Sequence, residues 1–362
     1  MHIFIHLLND FSGSPRVIGS KIDAYSAQGA QCYVITNGAE GFITTADHPH
    51  RFVSYAKAPT NKPLWLLRLL WWHLRTFLVV LRMAGPGDTV HASTLLTAPH
   101  LLAARLKGAR TVIHIMETEV SPRAHMAVLT FFASRFAQRV IYQSAYVRTA
   151  LGRHFSGRPS RITPPRIDPA IMAAADAPDR PRDPVRPFTV GLVCSILWYK
   201  GYAEFIELAR LCPDLRFLLV LNGSEAALDA QIPRAARPAN LTVRFSVKQI
   251  GTALADMDLL VSLTRREGRI ETFGLTLIEA MAFGLPVIAP DIGAPTEFVI
   301  DNDNGFLANE ADLTRIALLI GQLQTDSTTY ARMAKAARAT AERFSDSSFQ
   351  TAVGEELGFV NA

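Results

Sequence analysis

Residues 264–307 read TRREGRIETFGLTLIEAMAFGLPVIAPDIGAPTEFVIDNDNGFL. After Glu271 the spacing of Phe273, Leu277 and Met281 predicts a helix that starts near Thr272 with one apolar stripe. Glu279 follows Glu271 by a little over two turns, so the same spacing expects both carboxylates on one side of that helix. At its mouth the amides of Gly274, Leu275 and Thr276 have no acceptor within the helix, and glycine lets an anion approach closely. A diphosphate suits such a mouth, with Glu279 beside a ribose and Glu271 beside a sugar. An ordinary helix with Glu271 at the favourable end of its dipole and Glu279 in solvent satisfies the same spacing.

The surrounding pattern supplies a sheet for this helix. Apolar runs at 189–194, 217–221, 242–247, 259–263 and 287–289 alternate with stretches of helical length, as in a parallel sheet covered by helices. A turn after Leu263 places the helix at the carboxyl edge of that sheet, where open α/β folds bind ligands. The first half repeats the pattern. An apolar run at 2–8 ends in Asn9-Asp10-Phe11-Ser12-Gly13-Ser14-Pro15, helical spacing resumes at Val17, and further runs lie at 32–36, 89–92, 111–116 and 140–144. Pro169, Pro178, Pro181, Pro184 and Pro187 forbid a regular element between the halves. The expected organisation is an N-terminal domain over 1–168, a proline-rich linker over 169–187, a C-terminal domain over 188–345, and a tail over 346–362 that can pack back on the first domain. The helices from Thr328 towards Leu357 carry no evident chemistry.

Two domains also suit 362 residues, and with 49% hydrophobic and 19% charged residues the chain is globular rather than disordered. A net charge of +5 suits phosphate-bearing ligands or an anionic membrane, and without basic runs or RNA-binding aromatics it does not point to nucleic acid. Cys32, Cys194 and Cys212 are widely spaced within apolar surroundings, which suits a reducing compartment. MHIFIHLLND lacks the pattern of a secretory signal, and the expectation is a cytoplasmic protein. The segment Leu64–Met83, LWLLRLLWWHLRTFLVVLRM, is long enough to cross a bilayer, but Arg68, Arg75 and Arg82 recur along one face. It reads either as a core helix with a solvated basic stripe or as a helix lying on the inner face of the plasma membrane. In the second reading Trp65, Trp71, Trp72 and Phe77 enter the interface and the arginines meet anionic headgroups.

ETFGLTLIEAMAFGLPVIAP, followed by GAPTEFV and NGFL, resembles the E-x7-E signature of the retaining GT-B glycosyltransferases of family four, in particular those of surface-polysaccharide and lipopolysaccharide assembly. In the first half NDFSGSPRV, HIMETEVSP and VIYQSAYVRTAL resemble that family more faintly. The resemblance implies a GT-B fold of two Rossmann-like α/β domains whose parallel sheets face a central cleft that closes on the donor. It implies a retaining transfer from a nucleotide-diphosphate sugar to a glycan or glycolipid acceptor, and no metal cofactor, since no Asp-x-Asp motif appears where a GT-A type enzyme would hold Mg²⁺ or Mn²⁺. Glu271 would face the donor sugar, Glu279 the ribose, and the amides around Phe273, Gly274, Leu275 and Thr276 the distal phosphate. Lys200, in WYKGY, would neutralise the diphosphate. Gly13 and Ser14 would close over the phosphates from the opposite domain.

Two departures stand out. Ser195 occupies the place of the family's arginine, five residues before Lys200, and Arg265 or Arg266 could replace its charge. Met116 occupies the place of the family's histidine, leaving Glu117 and His114 as candidate catalytic residues. Ser246, Val247 and Lys248 are candidates for base recognition. A nucleotide-sugar epimerase and a degenerate nucleotide-binding assembly partner remain as alternatives. A dinucleotide dehydrogenase is disfavoured, because no G-x-G-x-x-G follows the first strand.

Overall fold

A computed structural model describes residues 1–55, 62–176, 187–247 and 250–362. The chain forms two compact units, Met1–Arg166 with Phe349–Ala362, and Ile167–Ser348. The first holds β1 (His2–Ile5), β2 (Cys32–Thr36), β3 (His50–Phe52), β4 (Thr89–Ala92), β5 (Arg110–Ile115), β6 (Arg139–Tyr142) and β7 (Ser160–Ile162), in the order β3-β2-β1-β4-β5-β6-β7. The second holds β8 (Thr189–Ser195), β9 (Arg216–Asn222), β10 (Leu241–Phe245), β11 (Leu259–Val261), β12 (Val287–Pro290) and β13 (Gly305–Ala308), in the order β10-β9-β8-β11-β12-β13. Every pairing is parallel.

Central strands such as β1, β4 and β12 are buried along their whole length, which is why they read as unbroken apolar runs. The edge strands β3 and β7 lack such runs and leave no comparable trace in the sequence. In each sheet the chain starts in the middle, builds to one edge and crosses back. The strand order therefore reverses between β1 and β4, and between β8 and β11, and a crevice opens there at the carboxyl ends of the strands.

The expected linker needs correction where it is described. Pro169–Ala175 is a helix, with the Asp168 carboxylate accepting from the Ala170 amide at 2.8 Å. Proline at the first helical position has no hydrogen bond to lose there. Pro178, Pro181 and Pro184 lie outside the described residues. The last helices are Ser327–Ala341 and Asp346–Asn361, and the second of them, from Phe349, belongs to the first unit.

That last helix carries a buried anion which periodicity alone does not reveal. Glu356 accepts from the Lys21 ammonium at 2.9 Å and from the Tyr25 hydroxyl at 3.0 Å, with both charged groups buried. Burial pushes the Glu356 carboxyl up, but the Lys21 charge, His114 and hydrogen bonds from Thr163 and Lys21 together outweigh it and the net shift is down. Lys21 Nζ also lies 3.4 Å from His114 Nδ1, His114 Nε2 lies 3.0 Å from His91 Nδ1, and His91 Nε2 lies 3.0 Å from His2 Nδ1. An ammonium can only donate, so His114 accepts at Nδ1 and donates from Nε2, and the same assignment passes to His91 and His2. One lysine thus sets the tautomer of three neutral imidazoles. Burial holds His2 down to about 4 and His114 to about 3, and His91 also lies far below its ordinary value.

Replacing Glu356 by Gln strands the Lys21 charge and should cost about 3–5 kcal/mol in urea unfolding, most of it recovered in the Lys21→Met/Glu356→Gln double variant. The histidines fix the pH dependence. Their folded values lie below the ordinary value near 6.5, so the unfolded chain binds more protons in the window between. Stability is full above pH 6.5 and should fall steadily as pH is lowered towards 4, as read in melting curves across that range.

Candidate functional site

The site is assembled where the strand order reverses in the second sheet. β8 ends at Ser195, and a tight turn, Trp198–Lys200, leads through Gly201 into the helix Tyr202–Leu211. Gly201 has φ 75°, and a Cβ there would stand 2.1 Å from the Leu263 carbonyl oxygen just beyond β11. Only glycine permits that approach. The loop after β11 folds onto the same turn, with the Arg265 amide donating to the Tyr199 carbonyl at 2.7 Å and Gly268 lying flat against the Tyr199 side chain.

These contacts bring Lys200 and Glu271 together. Lys200 Nζ donates to Glu271 Oε2 at 2.7 Å, and the Thr264 hydroxyl donates to the same oxygen at 3.3 Å. Burial pushes the Glu271 carboxyl up, but Lys200, Thr264 and the Phe273 amide more than offset this and hold it below its usual value. Burial lowers the Lys200 ammonium, yet Glu271 raises it overall. Both groups are therefore charged at neutral pH. Glu271 is fixed from behind as well: the Ala294 amide donates to its carbonyl at 3.0 Å, and a Cβ on Gly293 would come within 2.6 Å of that oxygen.

The helix starts later than the spacing suggests, at Leu275, and ends at Ala282. Gly274, at φ 99°, interrupts the chain before it, so Glu271 sits in a loop and no helical period relates it to Glu279. The mouth has no side-chain cap and no acidic residue in its first turn, and its first i→i−4 bond runs from Ile278 to Gly274. The amides of Leu275 and Thr276 precede that bond and suit an anion. Glu279 is only 1% exposed rather than solvated. The Phe273 ring is turned into the core. It packs against Phe298 and Phe344 at centroid distances of 5.7 and 5.5 Å, so only its backbone can serve the site.

The two arginines expected to replace the missing charge are already committed. Arg266 is clamped by Glu310 at 3.0 Å and Asp291 at 2.6 Å, which ties the loop to the ends of β13 and β12. Arg265 reaches Glu204 at 3.3 Å and covers the Trp198 ring at 5.4 Å. Arg269, absent from the candidates drawn from the sequence, is exposed over the Tyr199 ring at 5.9 Å, and among the described residues it makes no ion pair. Its signal was its place, two residues before Glu271. Ser195 stands at the carboxyl end of β8 and carries no charge. Ser246 closes the end of β10 at φ 48°, with its hydroxyl donating to the Gly223 carbonyl at 3.0 Å, followed by Val247, while Lys248 lies outside the described residues.

In the first unit Gly13 opens the helix Gly13–Ala27, exposed, followed by Ser14. A Cβ on Gly13 would meet nothing within 4 Å, so packing within the chain does not require glycine there. His114 is removed from the candidates: it is 2% exposed, and both ring nitrogens are engaged in the buried histidine chain. Met116 and Glu117 follow the end of β5, and the Glu117 carboxylate accepts from the Leu95 amide at 2.6 Å and from the Met116 amide at 3.3 Å.

Residues 177–340 match the family described as glycosyl transferases group 1. A D-inositol 3-phosphate glycosyltransferase of Stackebrandtia nassauensis is 31% identical over 198 residues, 51% of this chain and 45% of that protein. The chain spans less than half the length of that relative. Among solved structures, Anabaena Alr3699/HepE in complex with UDP-glucose superposes with a TM-score of 0.79 over 99% of each chain at 20% identity. The lipopolysaccharide outer core galactosyltransferase WaaB superposes with a TM-score of 0.70 over 99% of each chain at 15% identity. The protein therefore has the GT-B fold, two α/β units each built on a parallel sheet, and over residues 177–340 it matches the glycosyl transferases group 1 family.

Proposed function

We propose that this protein is a retaining glycosyltransferase which moves a sugar from a nucleotide-diphosphate sugar to a lipid-linked or lipopolysaccharide glycan acceptor in the cytoplasm, without a metal ion. The observation that carries this reading is the Lys200–Glu271 pair, 2.7 Å apart, in the loops beyond β8 and β11. UDP-glucose in HepE makes UDP the first nucleotide to test, and the description of WaaB supports a lipopolysaccharide-type acceptor. Retention rests on the resemblance to the E-x7-E signature.

Transfer breaks the bond between the anomeric carbon and the diphosphate oxygen as the acceptor oxygen bonds to that carbon and gives up its proton to the departing diphosphate oxygen. The barrier falls when negative charge on the leaving diphosphate and positive charge on the sugar ring are both met by fixed groups. Lys200, Arg269 and the amides of Leu275 and Thr276 serve the diphosphate. Glu271 accepts from hydroxyls of the sugar, and Glu279 from the ribose. When the diphosphate takes up Lys200, the pair loosens and Glu271 becomes available to the sugar.

A second reading, a binding protein without turnover, draws on Met116. A thioether cannot transfer a proton, and the neighbouring Glu117 carboxylate is held by backbone amides. Release of nucleotide and sugar from the donor separates this reading from the first. Change of the sugar's configuration without transfer would instead identify an epimerase.

A calorimetric and thermal-shift series over UDP, GDP, dTDP, ADP and CMP should find one nucleoside diphosphate that stabilises the fold by about 2.7 kcal/mol at a hundredfold excess over its Kd. EDTA should leave that stabilisation unchanged, and its loss would overturn the metal-free reading. Lys200→Ala and Arg269→Ala should each weaken the nucleotide about tenfold or more, at the upper end for Lys200. Glu279→Ala should cost about 1–3 kcal/mol of binding. If all three variants fold and bind the nucleotide like the parent protein, the site has been placed wrongly.

A further inference from the structure

The first unit has one helical layer whose outer side is apolar and free of acids. The helices Lys62–Met83, His100–Leu106 and Arg123–Phe136 pack against one another on one face of the first sheet, and none contains Asp or Glu. At about 3.6 residues per turn, Leu67, Leu70, Trp71, Leu74 and Leu78 fall on one side of the long helix, and Arg68, Arg75 and Arg82 run along the edge of that side. The five apolar residues are exposed, Leu67 at 64% and Trp71 at 59%, and Phe131 on the adjoining helix is 60% exposed. Monomer surfaces rarely present so many large apolar side chains together.

The opposite side of the long helix is fixed. Trp72 is fully buried with its indole N–H donating to the Val53 carbonyl at 3.1 Å, and Leu69, Thr76 and Val80 are buried beside it. This overturns both expectations in part. Trp72 belongs to the core and cannot enter an interface, while a core helix would not leave most of its apolar window uncovered: only 28% of it is buried. A helix held along one side by its own sheet cannot cross a bilayer and keep that packing.

We propose that this layer is a docking surface for an anionic phospholipid bilayer, on which the long helix lies in the interface plane with Leu67, Leu70, Trp71, Leu74 and Leu78 in the acyl boundary. Arg68, Arg75 and Arg82 meet lipid phosphates. Charge complementarity selects this occupant: the acidic residues nearest in sequence, Asp88, Glu117 and Glu119, lie outside the three helices. Asp88 accepts from the Gly85 amide at 3.0 Å and Glu117 from the Leu95 amide at 2.6 Å. The inference stands apart from the proposed transfer reaction, because it concerns binding without donor or acceptor.

The test is flotation of the full chain with vesicles of phosphatidylcholine alone and with phosphatidylglycerol added, with no nucleotide present. The parent protein should float with the anionic vesicles, and its tryptophan emission should shift to the blue. Leu67→Ser/Trp71→Ser should abolish flotation at low and high salt, while the melting temperature stays near that of the parent. Arg68→Gln/Arg75→Gln/Arg82→Gln should weaken partitioning about a hundredfold, at roughly a factor of five for each cation. No flotation of the parent protein at low salt would overturn the proposal. So would equal flotation on neutral vesicles, or a dimer in solution that the serine variant dissolves, which would assign the surface to a second copy.

Discussion

The candidate site depends on one close approach, that of Gly201 to the carbonyl of Leu263. A side chain at 201 would place its Cβ 2.1 Å from that oxygen, inside any possible contact. Its absence lets the turn after β8 lie directly on the end of β11, across the point where the strand order reverses. Lys200 then reaches Glu271 because their two loops share one crevice edge. Gly293 repeats the device on the other side, where a Cβ would stand 2.6 Å from the Glu271 carbonyl oxygen. Glu271, with its backbone carbonyl held by Ala294 and its carboxylate by Lys200 and Thr264, is preorganised, so ordering it costs little when a ligand arrives.

Charge in the same loop is divided by function. Arg266 commits its fork to Glu310 and Asp291, and Arg265 commits its own to Glu204, so both hold the loop down. Lys200 has one anion, in a geometry that a diphosphate can take over. Arg269, with no anion among the described residues, is the cation that, in the proposed reaction, a diphosphate would meet without displacing anything. The two loops together therefore hold two cations committed to internal anions, Arg265 and Arg266, and two that an anion can engage, Lys200 and Arg269.

Much of this was legible in the amino-acid sequence, for a physical reason. Central parallel strands are covered on both faces, so β1, β4, β8, β11 and β12 stand out as apolar runs, and a Lys-Gly together with an E-x7-E string is far more specific than either motif alone. Exposed edge strands such as β3 carry no such signal. The spacing places the start of the Leu275 helix too early because Phe273 fits the apolar stripe; its ring joins Phe298 and Phe344 from a loop position instead. His114 resembles a substitute for a catalytic histidine only by its proximity in sequence to Met116. Its hydrogen bonds to Lys21 and His91 need partners distant in sequence, and so does the Lys21–Glu356 pair.

The first unit treats the two faces of its sheet differently, and the difference has a consequence for binding. On one face, Lys21 and Glu356 join the first and last helices through a buried charge pair with little tolerance for rearrangement. On the other, the long helix is anchored from within by the Trp72 bond to Val53, and its outer residues contribute nothing to that anchorage. Hold and display are thus carried by opposite sides of one helix. An apolar outer side on a helix already ordered presents its area to a partner without a folding step, so the free energy of burying that area is not reduced by the cost of forming the helix. A membrane or any other apolar partner therefore meets this surface with its geometry already set by the core.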